Sequence, residues 1–234
     1  MHWNGLIQSV FLGAALLINF AAPAISDSLP LIPSPTGFIE SSSLVPSLRD
    51  QALLGHPART RLIGVYLLPD ELADIMRGAP QHMTIFCRAY INDEFASQDE
   101  AKAFFRRMIA NAKQENSYKL DLASPTTRRI IQSYETATQE RQGQSVKLTG
   151  STILGSILET EDIFATAVIV SASAQTSQGQ ILIPLTGAVG WVRWRNQVLE
   201  LSNTAQFTGS KSITATSNIL LEWLNAFQSA NGTP

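Results

Sequence analysis

DIFATAVIVSASA (residues 162–174), QILIPLTGAVGWVRWR (180–195) and QVLELSNTAQF (197–207) lie almost end to end, and these three runs decide the fold. Each is rich in branched and aromatic residues over strand length, the composition that suits a pleated, half-buried surface. The polar run QTSQGQ (175–180) connects the first two, and Asn196 is the turn residue between the second and third. Links this short cannot hold a crossover helix, so neighbouring strands must run antiparallel. Further back, residues 146–149 alternate and residues 153–158 continue in the same style, which adds strand character before the first run. Beyond them the period changes. Over residues 210–229, Ile213, Leu220, Trp223, Leu224 and Phe227 share one helical face, so a closing helix is expected to cover one side of the sheet.

The N-terminal half mixes both periods. Residues 36–40 form a short strand candidate, and Pro46 opens a helix expected to run to Leu54, with Gly55 past its end. RLIGVYLL (61–68) reads as a strand. Pro69-Asp70 starts a short helix to Arg77 with acids in its first turn and Gly78 closing it. MTIFCRAYI (83–91) is the next strand. Ser97 and Glu100 form a capping box before an amphipathic helix carrying Ala101, Phe104, Phe105, Met108 and Ile109. Ser124-Pro125 begins another helix, ending near Gly143. The expected architecture is a single α+β domain over 36–234, with a mostly antiparallel sheet of about five to seven strands covered by amphipathic helices.

Composition agrees. The 234 residues are 44% hydrophobic and 15% charged, with a formal net charge of −2, so there is ample apolar surface to offset ordering entropy. That charge balance gives no basic face for nucleic acid. A single Cys excludes an intramolecular disulfide framework and a cysteine-based zinc cluster. No residue set reads as a metal or cofactor site.

The first 24 residues hold no Lys, Arg, Asp or Glu; residues 6–20 are largely apolar, and Ala22-Pro23-Ala24 has A-x-A spacing. This reads as a secretory signal peptide cleaved after Ala24, although its leading segment lacks a basic residue. The alternative is an uncleaved anchor, against which the apolar stretch is short of the roughly 20 residues that span a bilayer. Residues 25–35, with three prolines between 30 and 35, read as an extended linker. Removing 24 of 234 residues leaves 210 with the net charge unchanged, and no later segment is long and apolar enough to span a membrane. The expected location is periplasmic or secreted.

Candidate chemistry is sparse. His56 and His82 both lie near prolines in loop-like sequence, and no G-x-S-x-G elbow is present. Cys87 sits in an apolar strand with Arg88 on the opposite face, which suits a buried, inert thiol. Three acidic groupings (Asp70/Glu71/Asp74, Asp93/Glu94 with Asp99/Glu100, and Glu159/Glu161/Asp162) fall at helix starts and a turn and lack calcium-loop spacing. Gly187 to Gly190 is expected to mark a bulge or bend. Asn231-Gly232-Thr233 matches a glycosylation acceptor.

The most distinctive stretch is Trp191-Val192-Arg193-Trp194-Arg195. On a strand, Trp191, Arg193 and Arg195 share one face, a candidate binding surface with a flat ring and two guanidinium groups for an anion. The plainer reading puts Trp194 in the core and both arginines in water.

Gly37-Phe38-Ile39-Glu40, Val45-Pro46, residues 61–66 (RLIGVY) and Pro69-Asp70-Glu71-Leu72, with the C-terminal strand and Trp223 helix, resemble a recurring class of uncharacterised bacterial secreted proteins. The resemblance implies export and a PsbP-like sheet-and-helix architecture, and it carries no catalytic residue. The leading expectation is an exported, non-enzymatic envelope protein that binds a partner there. Two alternatives stand beside it: an exported hydrolase using His56 or His82 with a carboxylate, and a domain tethered by an uncleaved N-terminal helix.

Overall fold

The computed structural model describes residues 29–53, 60–79, 84–113, 146–176 and 179–232. In chain order its elements are β1 (Ile39–Glu40), α1 (Pro46–Ala52), β2 (Arg61–Leu67), α2 (Pro69–Met76), β3 (Ile85–Glu94) and α3 (Gln98–Lys113). They continue with β4 (Val146–Glu159), β5 (Ile163–Thr176), β6 (Gly179–Trp194), β7 (Gln197–Gln206) and α4 (Ser210–Asn231). All strand pairs are antiparallel, and the seven strands form one sheet in the order β1-β2-β3-β7-β6-β5-β4. Two sequential meanders, β1-β2-β3 and β4-β5-β6-β7, therefore meet where β3 pairs with β7. That junction makes the two halves of the chain one α+β domain.

Local chemistry explains the elements. Pro46 and Pro69 stand in the first turns of α1 and α2, where a missing N–H costs nothing, and Gly78 takes φ 71° just past α2. The expected capping box is present at α3: Glu100 N–H donates to Ser97 Oγ at 3.2 Å. The Glu100 carboxylate reaches back to the Ala96 N–H, one residue before the cap. α1 ends at Ala52, earlier than Leu54. The helix expected over 124–143, the leader over 1–24, His56 and His82 lie outside the described residues.

Alternation gives the sheet two faces. One carries Ala89, Leu201, Gly190 and Ala165 in register and is covered by α4, whose Leu220, Trp223, Leu224 and Phe227 are buried against it. The edge-on contact of Tyr66 and Trp223, 5.2 Å between centroids, belongs to this core. On the other face, α1 and α2 cover Val65, Leu67, Phe86 and Tyr90. α3 contacts β6 and β7, with Ala101 and Phe105 fully buried.

Three local readings are corrected. The six-residue connector 175–180 is mostly strand, since Gln175 pairs with Gln180 and Thr176 with Gly179. Gly187 to Gly190 is neither bulge nor bend, because pairing runs unbroken through it to β5 and β7. Gly190 serves helix docking instead: a Cβ there would stand 3.2 Å from Leu224 Cδ1. Register shifts fall elsewhere, three of them in the edge strand β4, where added twist discourages further pairing. Residues 29–35 hold no helix or strand, as a linker would, but are not free of the body. Trp223 Nε1 donates to the Pro33 carbonyl at 2.7 Å, and Asn231 exchanges two hydrogen bonds with the Leu31 backbone.

Candidate functional site

β3, β7, β6 and β5 stand side by side, and their register lays out three rows on the face opposite α4. The first is Tyr90–Glu200–Trp191–Phe164, the second Arg88–Ser202–Val189–Thr166, and the third Phe86–Thr204–Gly187–Val168. Period-2 alternation in β7 (QVLELSNTAQ) would leave Glu200, Ser202 and Thr204 in water, yet the first eight residues of β7 are all buried. α4 covers one face of β7, α3 also contacts the strand, and both of its faces are buried.

Two buried ionisable side chains, Arg88 and Glu200, anchor the patch. Arg88 is 2% exposed, with its guanidinium carbon 5.2 Å from the Phe86 ring centroid and 5.8 Å from that of Tyr90. It also hydrogen-bonds Tyr90, whose hydroxyl donates to the Ala52 carbonyl at 2.9 Å. Burial pushes the Tyr90 phenol up to about 12. Glu200, 9% exposed, accepts from Asn92 Nδ2 at 2.9 Å and from Trp191. Burial raises the Glu200 carboxyl above its ordinary value, and the Asn92 bond, the Arg88 charge and the Trp191 bond only partly offset this.

Beside this pair lie three hydroxyls, Thr166, Ser202 and Thr204, each at most 1% exposed and each without a hydrogen-bond partner. A buried hydroxyl left unpaired costs about 1–3 kcal/mol. Three of them together rival the ~5–15 kcal/mol net stability of a whole domain. Valine would fill the Thr positions with no such cost, so these hydroxyls are not explained by packing alone.

The anticipated surface is rearranged. Trp191 and Arg193 do share a face, but Trp191 is 6% exposed and stacks on Phe164 at 6.1 Å between centroids. Arg193 is buried too, not dissolved in water, and pairs with Asp162. Arg195 has left the strand: it occupies the hairpin turn at φ 55°, with its guanidinium 4.3 Å above the Trp194 ring. Trp194 is in the core. Cys87 is fully buried, and burial pushes its thiol up, away from the reactive range.

The acidic groupings are occupied locally. Asp74 pairs with Arg77, Glu71 accepts from Thr84, and Glu161 meets Lys102 and Arg106. The Lys102 hydrogen bond and charge hold the exposed Glu161 carboxyl below its ordinary value. Among the described residues no three His, Cys, Asp or Glu side chains stand close enough to hold a metal, and no helix is long and apolar enough to cross a membrane.

Arg88, Asn92 and Glu200 were not singled out from sequence. Their signals were a lone Arg inside an apolar strand and a polar i, i+2, i+4 set (Glu200, Ser202, Thr204) in a strand whose other face is Leu199 and Leu201.

No family model matches the chain, and no curated protein does. Among solved structures it is similar to the extracellular domain of PknH from Mycobacterium tuberculosis, at 7% identity and a TM-score of 0.30, covering 72% of this chain and 66% of that one. It is also similar to the Ran-binding protein Mog1p of Saccharomyces cerevisiae, at 10% identity and a TM-score of 0.27, with 84% of each chain covered. At such scores these likenesses say nothing of role.

Proposed function

We propose that this chain is an exported, non-enzymatic binding module of the periplasm or cell exterior, and that it binds through the β3-β7-β6-β5 face. Export is supported by the uncharged apolar leader ending at Ala22-Pro23-Ala24, and the resemblance to secreted proteins of PsbP-like architecture is part of the same reading. The observation that carries binding is the buried polar patch, in which Arg88, Glu200 and three unpaired hydroxyls take positions that apolar side chains would fill at lower cost.

Fractionation of the native host followed by N-terminal sequencing tests the address. A soluble envelope or medium protein beginning at Ile25 is expected. A chain beginning at Met1 in the cytosol overturns export, and Met1 in the membrane fraction replaces cleavage with tethering. Turnover of ester or peptide substrates that disappears in His56→Ala or His82→Ala replaces the binding role with hydrolysis.

A further inference from the structure

We propose that Asn231-Gly232 is a site of spontaneous deamidation, gated by the N-terminal strap (residues 29–35), and that its product can no longer hold that strap. The inference is independent of the binding face above. Asparagine is chemically labile, most of all before glycine, which has no side chain to shield its nitrogen. Gly232 takes φ 75° just past α4, the left-handed region that glycine favours. The Gly232 nitrogen attacks the Asn231 carboxamide carbon: an N–Cγ bond forms, the Cγ–Nδ2 bond breaks, and Nδ2 leaves as ammonia with the Gly232 amide proton. Water then opens the cyclic imide at either carbonyl, leaving an aspartyl or isoaspartyl residue at 231. No reactant other than water is needed.

The folded chain holds the reacting group on every side. Asn231 Nδ2 donates to the Leu31 carbonyl at 2.6 Å and to the Phe227 carbonyl at 2.9 Å, while Oδ1 accepts from the Leu31 N–H at 2.8 Å. The partners fix which end is nitrogen, because the two carbonyls only accept and the Leu31 N–H only donates. Asn231 is also the last residue of α4, so closing the imide ring requires the final helical turn to open as well. Reaction therefore runs from the strap-released state. Its product cannot close again: an aspartyl carboxylate sets an acceptor without a hydrogen against two carbonyl oxygens, and an isoaspartyl residue adds a carbon to the backbone. Of the bonds that tie the strap to α4, the one from Trp223 Nε1 to the Pro33 carbonyl does not pass through residue 231. Deamidation thus turns a reversible opening into a permanent one.

The test incubates the purified chain at mildly alkaline pH, folded and in urea, and follows residue 231 by peptide mapping with tandem mass spectrometry. Conversion is expected about tenfold or more slowly in the folded chain, since reaction there waits for two hydrogen bonds from Nδ2 to break. Leu31→Pro removes the N–H that Asn231 accepts, at a residue whose side chain is 65% exposed, and should speed conversion while the melting profile stays unchanged. Asn231→Asp, which stands for the product, should show faster amide exchange at Leu31 with β7 exchange unaltered. No conversion in urea, equal rates folded and unfolded, an unchanged rate in folded Leu31→Pro, or wild-type exchange at Leu31 in Asn231→Asp each overturns the proposal.

Discussion

Arg193 and Asp162 are joined twice: the Arg193 backbone N–H donates to the Asp162 carbonyl at 2.8 Å, and its guanidinium pairs with the Asp162 carboxylate. The pair ties the end of β6 to the turn that opens β5, with side chains only 10% and 16% exposed. Asp162→Ala leaves a guanidinium with little access to water. A loss of about 2–3 kcal/mol is expected in urea unfolding, short of the full cost of breaking a deeply buried pair because some solvent remains. Arg193→Ala should cost a similar amount, and the double variant less than the two losses added. Strictly additive losses would show that the pair contributes no coupling.

The segment 29–35 is held by α4. Asn231 Nδ2 donates to the Leu31 carbonyl at 2.6 Å and Asn231 Oδ1 accepts from the Leu31 N–H at 2.8 Å, while Trp223 Nε1 reaches Pro33. Asn231→Ala removes two of these bonds, each worth about 1 kcal/mol. Faster amide exchange at Leu31, with exchange in β7 unchanged, is the expected result. Uniform acceleration across the domain would instead make the contact part of global stability. The side chain of the Asn231-Gly232-Thr233 acceptor is engaged in these bonds in the folded chain.

α4 packs directly over Gly190 of β6. A Cβ would meet Leu224 Cδ1 at 3.2 Å, Leu224 Cδ2 at 3.3 Å and Leu220 Cδ1 at 3.4 Å. Both leucines are fully buried, so neither can swing clear without disturbing the core. Gly190→Ala is expected to destabilise by about 1 kcal/mol, and Gly190→Val by more, through overpacking rather than backbone strain. A Gly190→Ala variant with a raised unfolding midpoint would mean that the leucines repack freely and that the small residue is not required.

The strands legible in sequence were those with one apolar face and one polar one. Leu199 and Leu201 in β7, or the Leu220/Trp223/Leu224/Phe227 face of α4, could be read directly because burial and hydrophobicity coincide there. The same logic failed on the other face of β7. Alternation there would put Glu200, Ser202 and Thr204 toward water, yet all three are buried on a face assembled by the pairing of β3 with β7. That pairing joins residues more than 100 positions apart, and no local period encodes it. Arg193 was misjudged for a related reason: its partner Asp162 lies 31 residues away, in a stretch read as an ordinary acidic turn.

Glu200 gives the patch a pH signature. Burial holds its carboxyl above the ordinary value of 4.5, so the folded chain keeps a proton that the unfolded chain has already released. Between those two pKa values unfolding releases that proton, and rising pH therefore favours unfolding. This contribution opposes the usual gain from carboxylates such as Glu40, where burial acts to raise the pKa but hydrogen bonds from Ser42 and Ser43 outweigh it and hold the group low. Glu200→Gln keeps the shape and an acceptor for Asn92 while removing the titration. Urea unfolding of both proteins from about pH 4 to pH 8 should show wild type losing ground to the variant as pH rises above 4.5. Parallel curves would mean that Glu200 titrates alike in the two states. A wild-type advantage that grows with pH would mean that the Arg88 charge outweighs burial and that Glu200 is held ionised.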